Sequence, residues 1–103
     1  MSRKQQLLDM LLDNPSDSFL LFALAMEYKG LEEYHDAIVI FNKLRKSDPY
    51  YVGLYYHLGK TYEEIEDFDM ALHIYDEGIT IAEYLHDLHA KSELMNAKMN
   101  MMY

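Results

Sequence analysis

The sequence predicts an all-α protein in which antiparallel helix hairpins stack as a solenoid, and three observations carry that prediction. Sliding the chain against itself by 34 residues brings like onto like through two consecutive windows. Leu24 falls on Leu58, Ala25 on Gly59, Tyr28 on Tyr62, Leu31 on Ile65, Tyr34 on Phe68, Ala37 on Ala71, Ile38 on Leu72 and Phe41 on Tyr75. Within a window the apolar residues recur at helical spacing, first Leu21, Leu24, Ala25, Tyr28 and Leu31, then Tyr34, Ala37, Ile38, Phe41 and Leu44. Only four glycines and two prolines punctuate the 103 residues, so the connections are short.

The elements follow in order. A first helix over about 3–13 opens on Ser2 with Gln5 three residues on, the capping-box pattern in which two otherwise orphan backbone N–H groups are satisfied reciprocally. Its Leu7 falls on Phe41 and Pro15 on Pro49 at the same offset, so this segment reads as the trailing half of an incomplete repeat. Asn14-Pro15 and Asp48-Pro49 end helices, because proline removes a backbone donor and pushes the residue before it out of helical geometry. Helices over about 17–30 and 34–46 form the first hairpin, joined through Gly30-Leu31-Glu32-Glu33. Helices over about 51–64 and 68–84 form the second, whose last helix lacks the periodic proline, Glu83 standing in its place, and so runs further. A final helix over about 88–101 takes Asp87 as its cap. The expected organisation is one domain over 1–103: a half repeat at 1–17, repeats at 18–51 and 52–85, and a C-terminal helix at 86–103.

Composition removes several function classes. The chain has no cysteine, hence no disulfide framework, thiolate metal site or cysteine nucleophile, and a cytoplasmic location is expected. Eighteen acids against nine bases leave a formal charge of minus nine, the wrong sign for a nucleic-acid backbone. The surplus is uneven: residues 1–51 carry eight acids and six bases, residues 52–103 ten acids and three bases. An anionic membrane surface should repel that second half. Gln5 to Leu12, behind Arg3-Lys4, is too short and polar for a signal-peptide core, and no run approaches the roughly twenty apolar residues of a membrane span.

These residues reach a known pattern. Tyr55-x₂-Leu58-Gly59-x₂-Tyr62 followed by Ala71-x₃-Tyr75, and Leu21-x₂-Leu24-Ala25-x₂-Tyr28 followed by Ala37-x₃-Phe41 and Pro49, resemble the signature of the tetratricopeptide repeat family. Two departures stand out: the chain has no tryptophan, and the second window lacks the closing proline. The resemblance covers residues 18–85 and the half repeat before them. It implies a right-handed solenoid whose concave face, lined by the first helix of each repeat, holds an extended peptide or a partner's helix. Gly59, Ala25, Ala37 and Ala71 are the small residues that let facing helices approach.

The resemblance places the candidate partner-binding groove on Phe19, Phe22, Ala23, Met26 and Lys29 in the first repeat and on Tyr56, His57, Lys60 and Glu63 in the second. The competing reading is that Phe19, Phe22 and Met26 simply pack within the helices. Chaperone-binding relatives clamp a C-terminal carboxylate with lysines and asparagines on this face. Phe22 and Met26 stand where that clamp needs a base and an amide, so the clamp is not expected here. Aromatic and methionine anchors in acidic surroundings favour an apolar partner peptide of net positive charge.

Other constellations carry less. His86-x₂-His89-x₃-Glu93 shares one face only if a helix runs through all three, with no fourth ligand evident, so no metal or cofactor is expected. The acidic run Glu63-Glu64-Ile65-Glu66-Asp67-Phe68-Asp69 lacks a calcium loop's glycine, and Asp67 and Asp69 suit a helix start. There is no G-x-S-x-G elbow, phosphate-binding glycine loop or H-E-x-x-H, so no enzyme is expected. In the last helix Ala90, Leu94, Ala97 and Met101 form one stripe and Met95, Met99 and Met102 another. The second stripe is a candidate self-association surface for a homodimer, the alternative being a frayed end with tolerated methionines. The main expectation is a protein-interaction scaffold, with structural self-association through the C-terminal helix or an open solenoid edge as the alternative.

Overall fold

The computed structural model describes residues 1–102 and places six α-helices and no strand among them. They are α1 (Arg3–Asp13), α2 (Ser18–Gly30), α3 (Tyr34–Ser47), α4 (Gly53–Glu64), α5 (Phe68–Tyr84) and α6 (Leu88–Met102). The predicted bounds hold within two residues, and α5, with 17 residues, is the longest. No helix is long and apolar enough to cross a membrane among the described residues.

Local chemistry sets the helix starts. Gln5 N–H donates to Ser2 Oγ at 3.1 Å, Leu20 N–H to Asp17 Oδ1 at 2.9 Å, Met70 N–H to Asp67 Oδ1 at 3.2 Å and Ala90 N–H to Asp87 Oδ1 at 3.0 Å. The capping box at α1 is only half made, because the Gln5 amide turns along the helix and donates to Asp9 Oδ1 at 3.0 Å. The helix ends are of two kinds. At the prolines, α1 and α3 stop with Asn14 N–H on Met10 O and Asp48 N–H on Leu44 O. The turns after α2, α4 and α5 share another geometry, a left-handed residue (Glu32, Glu66 and His86, φ 60°, 61° and 57°). The next N–H reaches back five residues, Glu33 to Tyr28 O, Asp67 to Tyr62 O and Asp87 to Ala82 O. None of the three is glycine, so each carries steric cost. Glu66→Val, which adds a β-branch in the left-handed region, is therefore expected to destabilise by about 1–2 kcal/mol relative to Glu66→Gly in thermal unfolding.

The helices form two compact units, Met1–Tyr51 and Val52–Tyr103. In the first, α2 and α3 run antiparallel, with Ser18 Oγ donating to Asp48 Oδ2 at 2.7 Å at one end and Phe22 against Phe41 nearer the middle. Leu21, Leu24, Ala25, Ala37, Phe41 and Leu44 are its buried seam, and α1 adds Leu7. Lys4 on α1 pairs with Glu33 at 3.5 Å and Arg3 with Glu27 at 3.7 Å. Leu31, assigned to the seam by its spacing, is exposed, because it lies past the last turn of α2 and caps it instead.

In the second unit the α4–α5 seam is reciprocal. A Cβ built on Gly59 would strike the Tyr75 ring, and one on Gly78 would come within 2.5 Å of Tyr55 Cβ and 3.0 Å of Leu94 Cδ1. Each glycine is thus a notch for a fully buried tyrosine on the facing helix. Gly59 is the close-approach residue the sequence suggests; Gly78 is its unforeseen mirror. One repeat earlier, the positions of Tyr55 and Gly78 hold Leu21 and Leu44, and those of Gly59 and Tyr75 hold Ala25 and Phe41, all buried. Across the two hairpins, a larger ring on one helix is offset by a smaller residue on the other. Helix α6 lies antiparallel on α5, its Leu94 and Ala97 buried.

Candidate functional site

The two first helices present the predicted groove residues in different ways. On α2, Phe19 is 66% exposed, whereas Phe22, Ala23, Met26 and Lys29 are half-buried. Phe22 packs edge-on against Phe41, centroids 6.2 Å apart, and against Tyr51 at 5.2 Å. It therefore belongs partly to the core of the first unit. The Tyr51 phenol is held above its ordinary pKa by burial first, then by the Asp48 and Asp17 carboxylates. Phe19 and Met26 share the Phe22 face, three residues before and four after it.

On α4, Tyr56, His57, Lys60 and Glu63 are all half-buried and linked to one another. The rings of Tyr56 and His57 meet edge-on at 5.3 Å, and Lys60 Nζ lies 5.6 Å from the Tyr56 ring centre. The same ammonium is 3.7 Å from Glu63 Oε2, which also accepts the Tyr75 hydroxyl hydrogen bond. This face thus runs from a surface aromatic through a cation and an acid to the core. Burial, then the hydrogen bond and charge of Glu63, push the Tyr75 phenol far above its ordinary pKa. Phe41, the hydroxyl-free equivalent, is matched by Lys29 at the position of Glu63. Thr61 beneath the face is buried, and its hydroxyl donates to His57 O at 2.6 Å.

The structure does not bring His86, His89 and Glu93 onto one helix. His86 sits in the left-handed turn and α6 begins at Leu88, leaving only His89 and Glu93 as neighbours, 3.8 Å apart. Among the described residues no group of three histidine or acidic side chains is placed to hold a metal ion. The Met95, Met99 and Met102 stripe is on the surface as its spacing predicts, and it lines a cleft with α5 that the sequence did not reveal.

Short antiparallel hairpins with small-residue notches and a repeating left-handed turn define a helix-hairpin repeat protein. Comparison specifies which. The tetratricopeptide repeat model matches residues 52–84. A tetratricopeptide repeat domain protein from Salinibacter ruber is 38% identical over 84% of this chain and 96% of that one, with a TM-score of 0.78 in its crystal structure. The chain belongs to the tetratricopeptide repeat family. The fold is also that of a protein from Bordetella parapertussis (22% identity, 99% of this chain and 89% of that one, TM-score 0.87). It is shared by the TPR2B domain of yeast Sti1, solved in complex with pHsp70 (18% identity, 96% of this chain and 79% of that one, TM-score 0.89). No curated protein sequence matches the chain.

Proposed function

We propose that the chain is a protein-interaction module, the outward face of α2 and that of α4 each offering a surface for an apolar, net positively charged partner peptide or helix. The observation that carries this reading is the character of those faces: Phe19, Met26, Tyr56 and His57 offer apolar and aromatic surface at the positions the family uses for partners. Membership of a family whose fold generally serves protein interaction supports it, as does the Sti1 TPR2B domain in its complex with pHsp70. A formal charge of minus nine favours a cationic partner through encounter rate and exclusion of acidic competitors. Lys60, tied to Glu63 and Tyr56, is the one lysine on α4, which has no arginine, in keeping with a partner held by apolar anchors more than by a bound carboxylate.

The test is a displayed random-peptide library selected on the purified chain. Enriched peptides are expected to carry aromatic or aliphatic anchors and excess lysine or arginine. Their affinity should fall at least about tenfold, or 1.4 kcal/mol, in Met26→Glu or in Tyr56→Ala. Phe22→Ala is a poor probe, because removing the ring from Phe41 and Tyr51 also weakens the fold. Selected peptides that bind both variants with wild-type affinity would place the site elsewhere.

A further inference from the structure

The second unit carries an apolar surface that its own packing leaves open. On α6, Leu94 and Ala97 are buried and Ala90 and Met101 half-buried, forming the seam against the unit. Leu88, Met95, Met99 and Met102 recur at intervals of seven, four and three residues, a stripe roughly 140° around the helix from that seam. They are 75%, 43%, 53% and 56% exposed. The three methionines form one wall of a cleft of about 730 Å³ whose other wall is α5, through Asp76, Ile79, Thr80 and Glu83. Across it Lys98 Nζ reaches Asp76 Oδ1 at 2.7 Å and Lys91 Nζ reaches Glu83 Oε2 at 3.0 Å.

The charge pattern is complementary to itself. The two acids on α5 are seven residues apart and so are the two bases on α6, about 10.5 Å along each helix axis. A twofold rotation of such a face lays bases over acids at the same spacing and sets methionine stripe on methionine stripe. We propose that this face joins two copies of the chain about a twofold axis, α6 of each seated in the α5–α6 cleft of the other. Lys91 and Lys98 of one copy then exchange their intramolecular acids for Glu83 and Asp76 of the second, and the flexible methionines bury one another. A second copy fits better than a cationic peptide, which would compete with two lysines already on the acids. It also fits better than an acidic peptide, because the second copy carries the same acid surplus but brings Lys91 and Lys98 to Asp76 and Glu83 at the matching spacing. The contact is separate from the outward faces of α2 and α4 and stands independently of the function proposed for them.

Sedimentation equilibrium decides the matter. The wild-type chain is expected to double in mass with rising concentration, and Met95→Glu with Met99→Glu to remain monomeric at unchanged helicity. Two further chains test the pairing: Lys91→Glu with Lys98→Glu makes the face wholly acidic, and Asp76→Lys with Glu83→Lys makes it wholly basic. Each alone is expected to be a monomer, and an equimolar mixture to form a one-to-one heterodimer. A wild-type chain that is monomeric at every attainable concentration overturns the proposal, as does a dimer that survives the methionine substitutions with helicity intact. Folded charge variants that fail to pair when mixed overturn it too; if either loses helicity, the methionine pair alone decides.

Discussion

Gly78→Leu is expected to destabilise the second unit by about 3 kcal/mol, the upper end of the range for overpacking, and Tyr55→Leu added to it is expected to restore much of the loss. The position is unforgiving because the nearest atom to an added Cβ is Tyr55 Cβ at 2.5 Å, held at the helix backbone and unable to swing aside. Leu94 Cδ1, at 3.0 Å on the other side, belongs to α6, so a wedge at this point also lifts that helix. Removing the tyrosine ring vacates the volume the new leucine needs. It recreates the pairing of Leu21 with Leu44 at the same register one repeat earlier, where both are fully buried. Tyr55→Leu alone should cost something too, by leaving a cavity over Gly78. Urea unfolding of the four chains in this cycle measures the coupling. A double variant that loses the sum of its two single losses would mean that the glycine and the tyrosine are not a matched pair.

That pair shows where the sequence was readable and where it was not. Helix positions were legible because a 34-residue offset, two prolines and the acids Asp67 and Asp87 all constrain the same boundaries. Gly59 was legible as a notch because the offset places it on Ala25, another small residue. Gly78 was not, since the offset places it on Leu44, and compensation between facing helices is visible only once the helices face each other. The left-handed turns were hidden for a similar reason. The residues there are Glu32, Glu66 and His86, whereas the nearby glycine, Gly30, lies within α2 with open space around it.

The candidate surfaces divide the same way. Spacing alone put Met95, Met99 and Met102 on one stripe, and they are exposed together. It gave no sign that Asp76, Thr80 and Glu83 form the facing wall, because carboxylates scattered along a helix read as ordinary solvation until another helix is laid beside them. For Phe22 the packing reading is partly realised: the ring is half-buried and touches Phe41 and Tyr51.

Above pH 10 the stability of the chain is expected to fall with a slope that Tyr75→Phe lessens. The Tyr75 phenol is fully buried and donates to Glu63, so its folded-state pKa lies well above the unfolded value near 10. Below pH 10 the proton is bound in both states and the contribution is constant. Between the unfolded and folded values the unfolded chain releases the proton while the folded chain retains it. Unfolding is then favoured progressively, by up to about 1.4 kcal/mol per pH unit. Across two units that approaches the overpacking penalty at Gly78. The slope from the Tyr51 phenol is common to wild type and variant, as is the repulsion within an already acidic chain, so their difference isolates Tyr75. At pH 7 the substitution should cost only about 0.5–1.5 kcal/mol for the lost hydrogen bond, with Lys60 still beside the Glu63 carboxylate. Urea midpoints for both chains from pH 8 to 11 make the comparison, with a change in their difference of about 1.4 kcal/mol expected at most. Parallel alkaline slopes would show that the phenol ionises as readily in the folded chain as in the unfolded one, which its contact with Glu63 forbids.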